Sequence, residues 1–272
     1  MWPQYARLRV AWPLTGLCSA LLFATAVQAD GQPTAEQINE ANSPLTPKIT
    51  VDFQDQWAPT LYDTNANTNA FLLRGVMPHK LFDEPQILRA TLPVVTSPEV
   101  TGNNVTGLGD LNLFDLVLEK AGPVAIGFGP QLTIPTASND ALGTGKWQAG
   151  LAGVVIAPHQ WGLIGGLVTW QHSFAGESDR ATQNNLAVQP FGLYNLPGGL
   201  YLRSTATWNF DLAHSHYSIP LGAGIGKVWL LSSGTTVNLF AEPQFTLAHN
   251  GPGQPQFQVF AGLNLQFPIG KH

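Results

Sequence analysis

The chain has one cysteine, Cys18, no basic run, and little charge of either sign. Only 11% of its 272 residues are charged, against roughly 25% in ordinary soluble domains. One cysteine, lying within the first thirty residues, excludes a disulfide framework and a cysteine-based metal site. It follows Leu17 rather than the small residue that a lipoprotein box requires, which argues against lipidation. The missing basic tract removes nucleic acid as a partner. No apolar stretch of about 18 residues occurs after the N-terminal segment, so insertion into a membrane would have to use strands. With 28 glycines and 21 prolines, long helices are disfavoured as well.

The N-terminus reads as a secretory signal, residues 1–29. Arg7 and Arg9 form a positive start, Val10 to Ala26 is mostly apolar, and Val27-Gln28-Ala29 is a small-x-small cleavage site. Cleavage, rather than a retained anchor, is the expectation, with a mature chain starting at Asp30. That chain carries ten basic and seventeen acidic residues, a net charge of −7.

What the chain does have is alternation. In the stretch 124–134, Val124, Ile126, Phe128, Leu132 and Ile134 are apolar and the residues between them are small or polar. A period of two marks a β-strand with one greasy and one wet face. Twelve such strands are expected, over 48–57, 69–77, 86–95, 107–120, 124–135, 146–157, 161–173, 185–195, 199–209, 218–230, 235–247 and 256–267. The connections Ala58–Thr68, Thr96–Thr106, Thr136–Gly145, Phe174–Asn184, Phe210–Tyr217 and Ala248–Pro255 run about eight to eleven residues. Most of the others have three or four, with Pro78–Pro85 as an over-long exception. An even number of up-and-down strands with one ragged and one trim end predicts an all-β fold: a transmembrane antiparallel β-barrel of the bacterial outer membrane. Its divisions are a signal peptide (1–29), a periplasmic leader (30–47) with a helical turn near Ala35 to Ala41, the barrel (48–267) and a short tail (268–272). Both termini are then periplasmic and the long loops extracellular.

Aromatic residues cluster near strand ends. Trp57, Trp147, Trp170, Trp208 and Tyr217 fall towards one rim, and Trp161, Tyr194, Tyr201, Trp229 and Phe267 towards the other. Two girdles are expected where rings meet lipid headgroups. The last strand alternates cleanly from Phe257 to Phe267, the type of terminal signal that barrel insertion machinery reads. Pro93, Pro130, Pro135, Pro190, Pro220 and Pro243 fall in or near strands. A closed wall has no edge to shelter them, so bulges or strand ends are expected at several.

The segments LRATLPVV (88–95), TGLGDLNLFDLVL (106–118), GPQLTIPTASNDALGTGKWQAG (129–150) and QPFGLYNL (189–196) resemble the family named for the MetA pathway of phenol degradation, some members of which are mislabelled as neuromedin U. The extension past Phe267 departs from its pattern. The resemblance implies an outer-membrane barrel and passage of small or aromatic compounds. It brings no catalytic residues.

The chemistry-bearing motifs are few. Gly143-Thr144-Gly145-Lys146 fails as a phosphate-binding loop, since Asp140 stands where the first glycine belongs and Trp147 replaces the Ser/Thr. His172 and Ser173 are adjacent on a strand and so point to opposite faces, which argues against a hydrolase pair. His214 and His216 share a parity but lie in a loop, where solvated histidines are the ordinary case. No catalytic residue, metal ligand or cofactor is assigned. On the polar face, Asp52, Arg74, Arg89, Asp110, Arg203 and Glu242 are expected to point into the lumen. Three acids balanced by three arginines suggest ion pairs bracing a narrow passage, because an unpaired charge there is costly. The rest of that face reads as mainly Gln, Asn, Thr and Gly. The function expected is passive passage of small, hydrophobic or aromatic molecules, with outer-membrane lipid and the cargo as partners. The rivals are a closed structural or ligand-binding barrel, a lipid-modifying enzyme and a soluble sandwich.

Overall fold

The structure is a computed structural model and describes residues 31–64, 66–98 and 103–268. The expected signal peptide and the last four residues of the expected tail lie outside the described residues. A helix, α1 (Ala35–Asn42), precedes fifteen strand segments. They are β1 (Ile49–Leu61), β2 (Thr68–Leu81), β3 (Glu84–Pro98), β4 (Asn104–Leu108), β5 (Leu111–Ala121), β6 (Val124–Ile134), β7 (Lys146–His159) and β8 (Gly162–Gly176), then β9 (Asn184–Asn195), β10 (Leu200–Ser204), β11 (Trp208–Asp211), β12 (His216–Gly222), β13 (Gly224–Leu230), β14 (Thr236–Asn250) and β15 (Pro255–Phe267). Three pairs, β4/β5, β10/β11 and β12/β13, are single staves interrupted midway, so the wall has twelve staves. All neighbours are antiparallel, and β1 pairs with β15 from Ile49↔Phe267 onward, which closes the sheet. Closure excludes a two-sheet sandwich and leaves no free edge.

The outer wall is apolar. Phe53, Phe71, Leu73, Phe128, Leu151, Val155, Val168, Leu221, Phe245 and Leu247 are all exposed on it, Leu247 at 69%. A continuous apolar surface on this scale is foreign to monomers in water and ordinary for a wall facing lipid. Trp57, Trp147 and Trp170 stand exposed towards the end far from the termini. Trp161 and Tyr194 do so at the near end, where His159, Trp161 and Tyr194 stack in series.

Three expectations need correction. Pro78–Pro85 is no loop: both prolines sit in the ladder, opposite Ile87 and Lys80, and the turn is Phe82-Asp83 alone. Both turn residues have positive φ, 52° and 66°, the twist that suits a two-residue hairpin. The two flanking prolines had the look of breakers, and no Asn-Gly marked the turn. Secondly, most far-end loops are shorter than expected, since β12, β14 and β8 run past the expected strand ends to His216, Asn250 and Gly176. Only Pro135–Gly145 keeps its length. Thirdly, Tyr201 is not a rim anchor. It is fully buried inside, its hydroxyl donating to Asn238 Oδ1 at 2.6 Å.

Pro93, Pro190 and Pro220 lie beside the interruptions, whereas Pro130 and Pro243 stay in the ladder opposite Leu151 and Val259. Gly109, in the β4/β5 break, donates its N–H to the carbonyl of Pro93 on the neighbouring stave. The ladder slips between Ile219 and Pro220. The registers of β9 with β10 and β11 place Pro190 opposite the gap at Thr205–Thr207. A residue without an N–H cannot hold a ladder bond, so the partner stave finds other acceptors and donors there.

Candidate functional site

The near half of the lumen is largely occupied and lined by apolar side chains. Ile87, Leu116, Val154, Ile156, Leu163, Tyr201 and Val228 point inward and are almost wholly buried. The filler is the chain's own segment ahead of β1. A capping box starts α1: Gln37 N–H donates to the Thr34 hydroxyl and the Gln37 side chain accepts from Thr34 N–H. The helix then presents Ile38 and Ala41, followed by Leu45 in the next turn of chain, to this apolar lining. Burial of Ile38 and Leu45 stabilises the seated position by about 1.5–3 kcal/mol each.

Asparagines fix its orientation. Asn39 Nδ2 donates to the carbonyl of His159 at 2.8 Å, and Asn195 Nδ2 to Asn39 Oδ1 at 3.0 Å. The last helical carbonyls lack partners within any helix; the segment itself meets Ile38 O and Glu40 O, through Asn42, Ser43 and Thr46, and the wall meets Ala41 O. Asn238 and Gln266 both donate to Ala41 O, at 3.2 and 3.3 Å. Lys48 pairs with Glu40 at 3.0 Å where the segment turns into β1. A polar lining throughout the inner face was the expectation. Instead its near half is apolar, because it serves as the seat for α1.

Above this stopper lies a chamber of about 150 Å³, floored by Ala41 to Thr46. Four of the six charged residues expected in the lumen, Asp52, Arg74, Arg89 and Arg203, line it, and Glu242 reaches it through its pairing with Arg203. Asp52, Arg74 and Arg89 form one group on β1, β2 and β3, with Asp52 directly across from Arg74. They are close without being paired. Arg74 Nη1 donates to Gln54 Oε1 at 2.5 Å, and the Arg89 guanidinium lies 3.8 Å over the ring of Phe114. Asp52 Oδ1, Arg74 Nε and Arg89 Nε are buried with no hydrogen-bond partner among the described residues. Two guanidiniums against one carboxylate leave this group positive.

Arg203 and Glu242 form the second group and are paired. Arg203 Nε meets Glu242 Oε2 at 2.8 Å, and Glu242 also accepts from Thr205 N–H and the Thr205 hydroxyl, at 2.8 and 2.7 Å. Gln244 Nε2 adds a further donor at 3.0 Å. The Arg203 guanidinium lies 3.6 Å from the Phe240 ring centroid. Glu242 is 0% exposed, so only this full set of donors makes its burial tolerable.

Asp110 is the correction within the set. It stands in the β4/β5 break and holds the far loop rather than bracing the lumen. Its carboxylate accepts from Ala137 N–H, Thr144 N–H and the Thr144 hydroxyl. Arg180, from the next far-end loop, donates to the carbonyls of Asp140, Gly143 and Thr144. The Gly-Thr-Gly-Lys run is therefore a clamped loop. A Cβ at Gly143 would meet Asp110 Oδ1 at 2.5 Å, which explains that glycine.

His172 and Ser173 do face opposite ways: Ser173 Oγ accepts from Gln183 N–H on the inner side, while His172 is exposed outside. His214 Nδ1 contacts Asp211 Oδ2 at 2.7 Å, within its own turn. Among the described residues no cluster of three or more His, Cys, Asp or Glu could hold a metal.

The residues missed by sequence reasoning are Ile38, Leu45, Asn39, Asn195 and Asn238. Two signals existed. Thr34-x-x-Gln37 is a helix-start signature, and β7 is apolar on both faces around Val154, Val155 and Ile156, which announces a buried inner side.

No family model and no curated protein matches the chain. Solved structures do. A COG4313 outer membrane channel from Pseudomonas putida F1 aligns with a TM-score of 0.59 at 16% identity, covering 88% of this chain and 98% of that one. Outer membrane phospholipase A from Escherichia coli aligns with a TM-score of 0.36 at 11% identity, covering 82% and 94%. The likeness to the Pseudomonas channel is one of fold: a closed barrel of the outer-membrane type.

Proposed function

We propose that the chain is an outer-membrane channel for passive passage of small molecules, closed at its periplasmic end by its own segment 31–48. The observation that carries this reading is the pairing of an apolar outer wall with a charged chamber of about 150 Å³ that a short, separately docked segment floors. The near end, with both termini, is periplasmic and the clamped loop extracellular. The resemblance to the phenol-degradation family, and the rings of Phe191, Phe240 and Phe260 around the chamber, support small aromatic or hydrophobic cargo. A second reading, a ligand-binding barrel with a permanently closed lumen, is favoured by the apolar packing of α1 against the inner wall.

Planar-bilayer recording of the refolded mature protein separates the two. The channel reading expects discrete openings that favour anions, from the excess of guanidinium at Arg74 and Arg89. Changing both arginines to glutamine should shift the reversal potential towards cations. Complete silence, together with no uptake defect in a deletion strain, would leave the closed barrel standing.

A further inference from the structure

The two charged groups around the chamber differ in what they leave unmet. The Arg203 guanidinium has its partners: Glu242 and the Thr205 hydroxyl take its N–H groups, and the Phe240 ring covers its face. That group is a brace. The group on β1, β2 and β3 is not. Arg74 gives Nη1 to Gln54 Oε1 and keeps Nε without a partner among the described residues. Arg89 lies over Phe114, which covers its face, and its Nε is equally unmet. Buried N–H groups in native structures are seldom left this way, and on a cation the unmade bond costs most.

Both arginines are held in place. Gln54 is fixed against Arg74, because its Nε2 donates to Asn264 Oδ1 at 3.0 Å. Phe114 is 3% exposed and packed in the core, so the Arg89 guanidinium rests on a fixed ring. A guanidinium held with a donor edge free matches a carboxylate, whose two oxygens accept parallel bonds. Charge sets the valence. Two guanidiniums against Asp52 leave one positive charge, which a monoanion neutralises. A dianion would bring excess negative charge beside Asp52. The staves of β8 and β9 stand across the barrel from β2. From them Leu167 and Phe191 face the chamber. One wall of this space of about 150 Å³ is therefore cationic and the opposite wall apolar.

We propose that Arg74 and Arg89 form a binding site in the chamber for a small organic monocarboxylate with a ring-sized apolar body. The carboxylate takes the free guanidinium edges, and the body lies against Leu167 and Phe191. The site deepens the channel reading by naming the chemistry of its cargo, and rests on that reading for passage, but binding is measured apart from conductance.

Calorimetric titration of the refolded mature chain with benzoate tests the site. Saturable binding of one benzoate per chain is expected. Benzyl alcohol, which lacks the charge, acetate, which lacks the ring, and inorganic phosphate should all bind more weakly. Arg74→Gln and Arg89→Gln should each weaken benzoate by about 10- to 150-fold, the worth of a hydrogen bond to a charged group. Because loss of affinity also follows from a damaged barrel, Asp52→Asn supplies the opposite sign. With that negative charge removed, benzoate should bind more tightly, and phosphate should gain more than benzoate. The site is overturned by benzoate that does not bind, or that binds no better than benzyl alcohol, acetate or phosphate. Benzoate binding indifferent to both arginines, or weakened by Asp52→Asn, in chains that keep heat-modifiable gel migration overturns it too. Bilayer conductance separates the two claims. A conducting chain that does not bind benzoate keeps the channel and loses the site, and a silent chain that binds it keeps the site and loses the channel.

Discussion

Glu242→Ala is expected to destabilise the barrel by about 3–5 kcal/mol, the usual loss when one member of a buried ion pair is removed. The reason lies in what remains. Arg203, 8% exposed, would keep its charge without a carboxylate, and Thr205 N–H would lose its acceptor in the middle of the wall. The cost is a penalty of orphaned groups rather than the worth of the pair. The double change Glu242→Leu with Arg203→Met should therefore restore much of the stability, though Thr205 N–H stays unmet. Urea unfolding of the refolded proteins in lipid vesicles measures both. A loss below about 1 kcal/mol in the single variant, the level of an exposed pair, would contradict this assignment.

The second large effect concerns the stopper. Ile38 is 2% exposed against a lining that is itself buried and apolar. Ile38→Ala is expected to weaken the seated position by about 2–5 kcal/mol, hence to shift the closed-to-open balance by about 30-fold to several thousand-fold. Deleting residues 31–47 removes the seat's occupant altogether and should convert brief openings into a steady conducting level. In bilayer recordings the open fraction should rise in that order, from intact chain to Ile38→Ala to the deletion. An open fraction unchanged by Ile38→Ala, with the protein folded, would mean that α1 does not control the lumen.

The wall was legible in the sequence because lipid imposes a rule on every second residue. Val124, Ile126 and Phe128 must be apolar whatever lies inside, so the period of two appears without knowledge of the partner staves. Parity also placed Asp52, Arg74, Arg89, Arg203 and Glu242 on a common face. It could not show which of them touch. Arg203 and Glu242 meet because β10 and β14 both flank β13, a neighbourhood 39 residues apart in the chain. Asp110 shares the parity but sits where the stave breaks at Gly109, so its side chain serves the loop 135–145 instead. The Phe82-Asp83 turn stayed hidden because Phe82 does not advertise positive φ, and Asp83, which tolerates it, is followed by no glycine. The stopper stayed hidden for a different reason. Thr34 to Asn42 reads as a short capped helix, but what it packs against is set by Val154, Leu163 and Val228 on remote staves.

The most direct test of the account tethers the stopper. Cys18 is the chain's only cysteine and lies within the expected signal peptide, so Asn39→Cys with Asn195→Cys, whose native side chains are 3.0 Å apart, supplies the only thiols of the mature protein. A disulfide or short thiol cross-linker then holds α1 in its seat during single-channel recording. The account predicts silence while the tether is intact. Openings at or above the intact chain's level should appear once it is cleaved, because the variant also lacks the Asn39 hydrogen bonds that help to seat α1. Equal conductance in the tethered and cleaved states would contradict it, since ions would then be crossing by a path that α1 does not close.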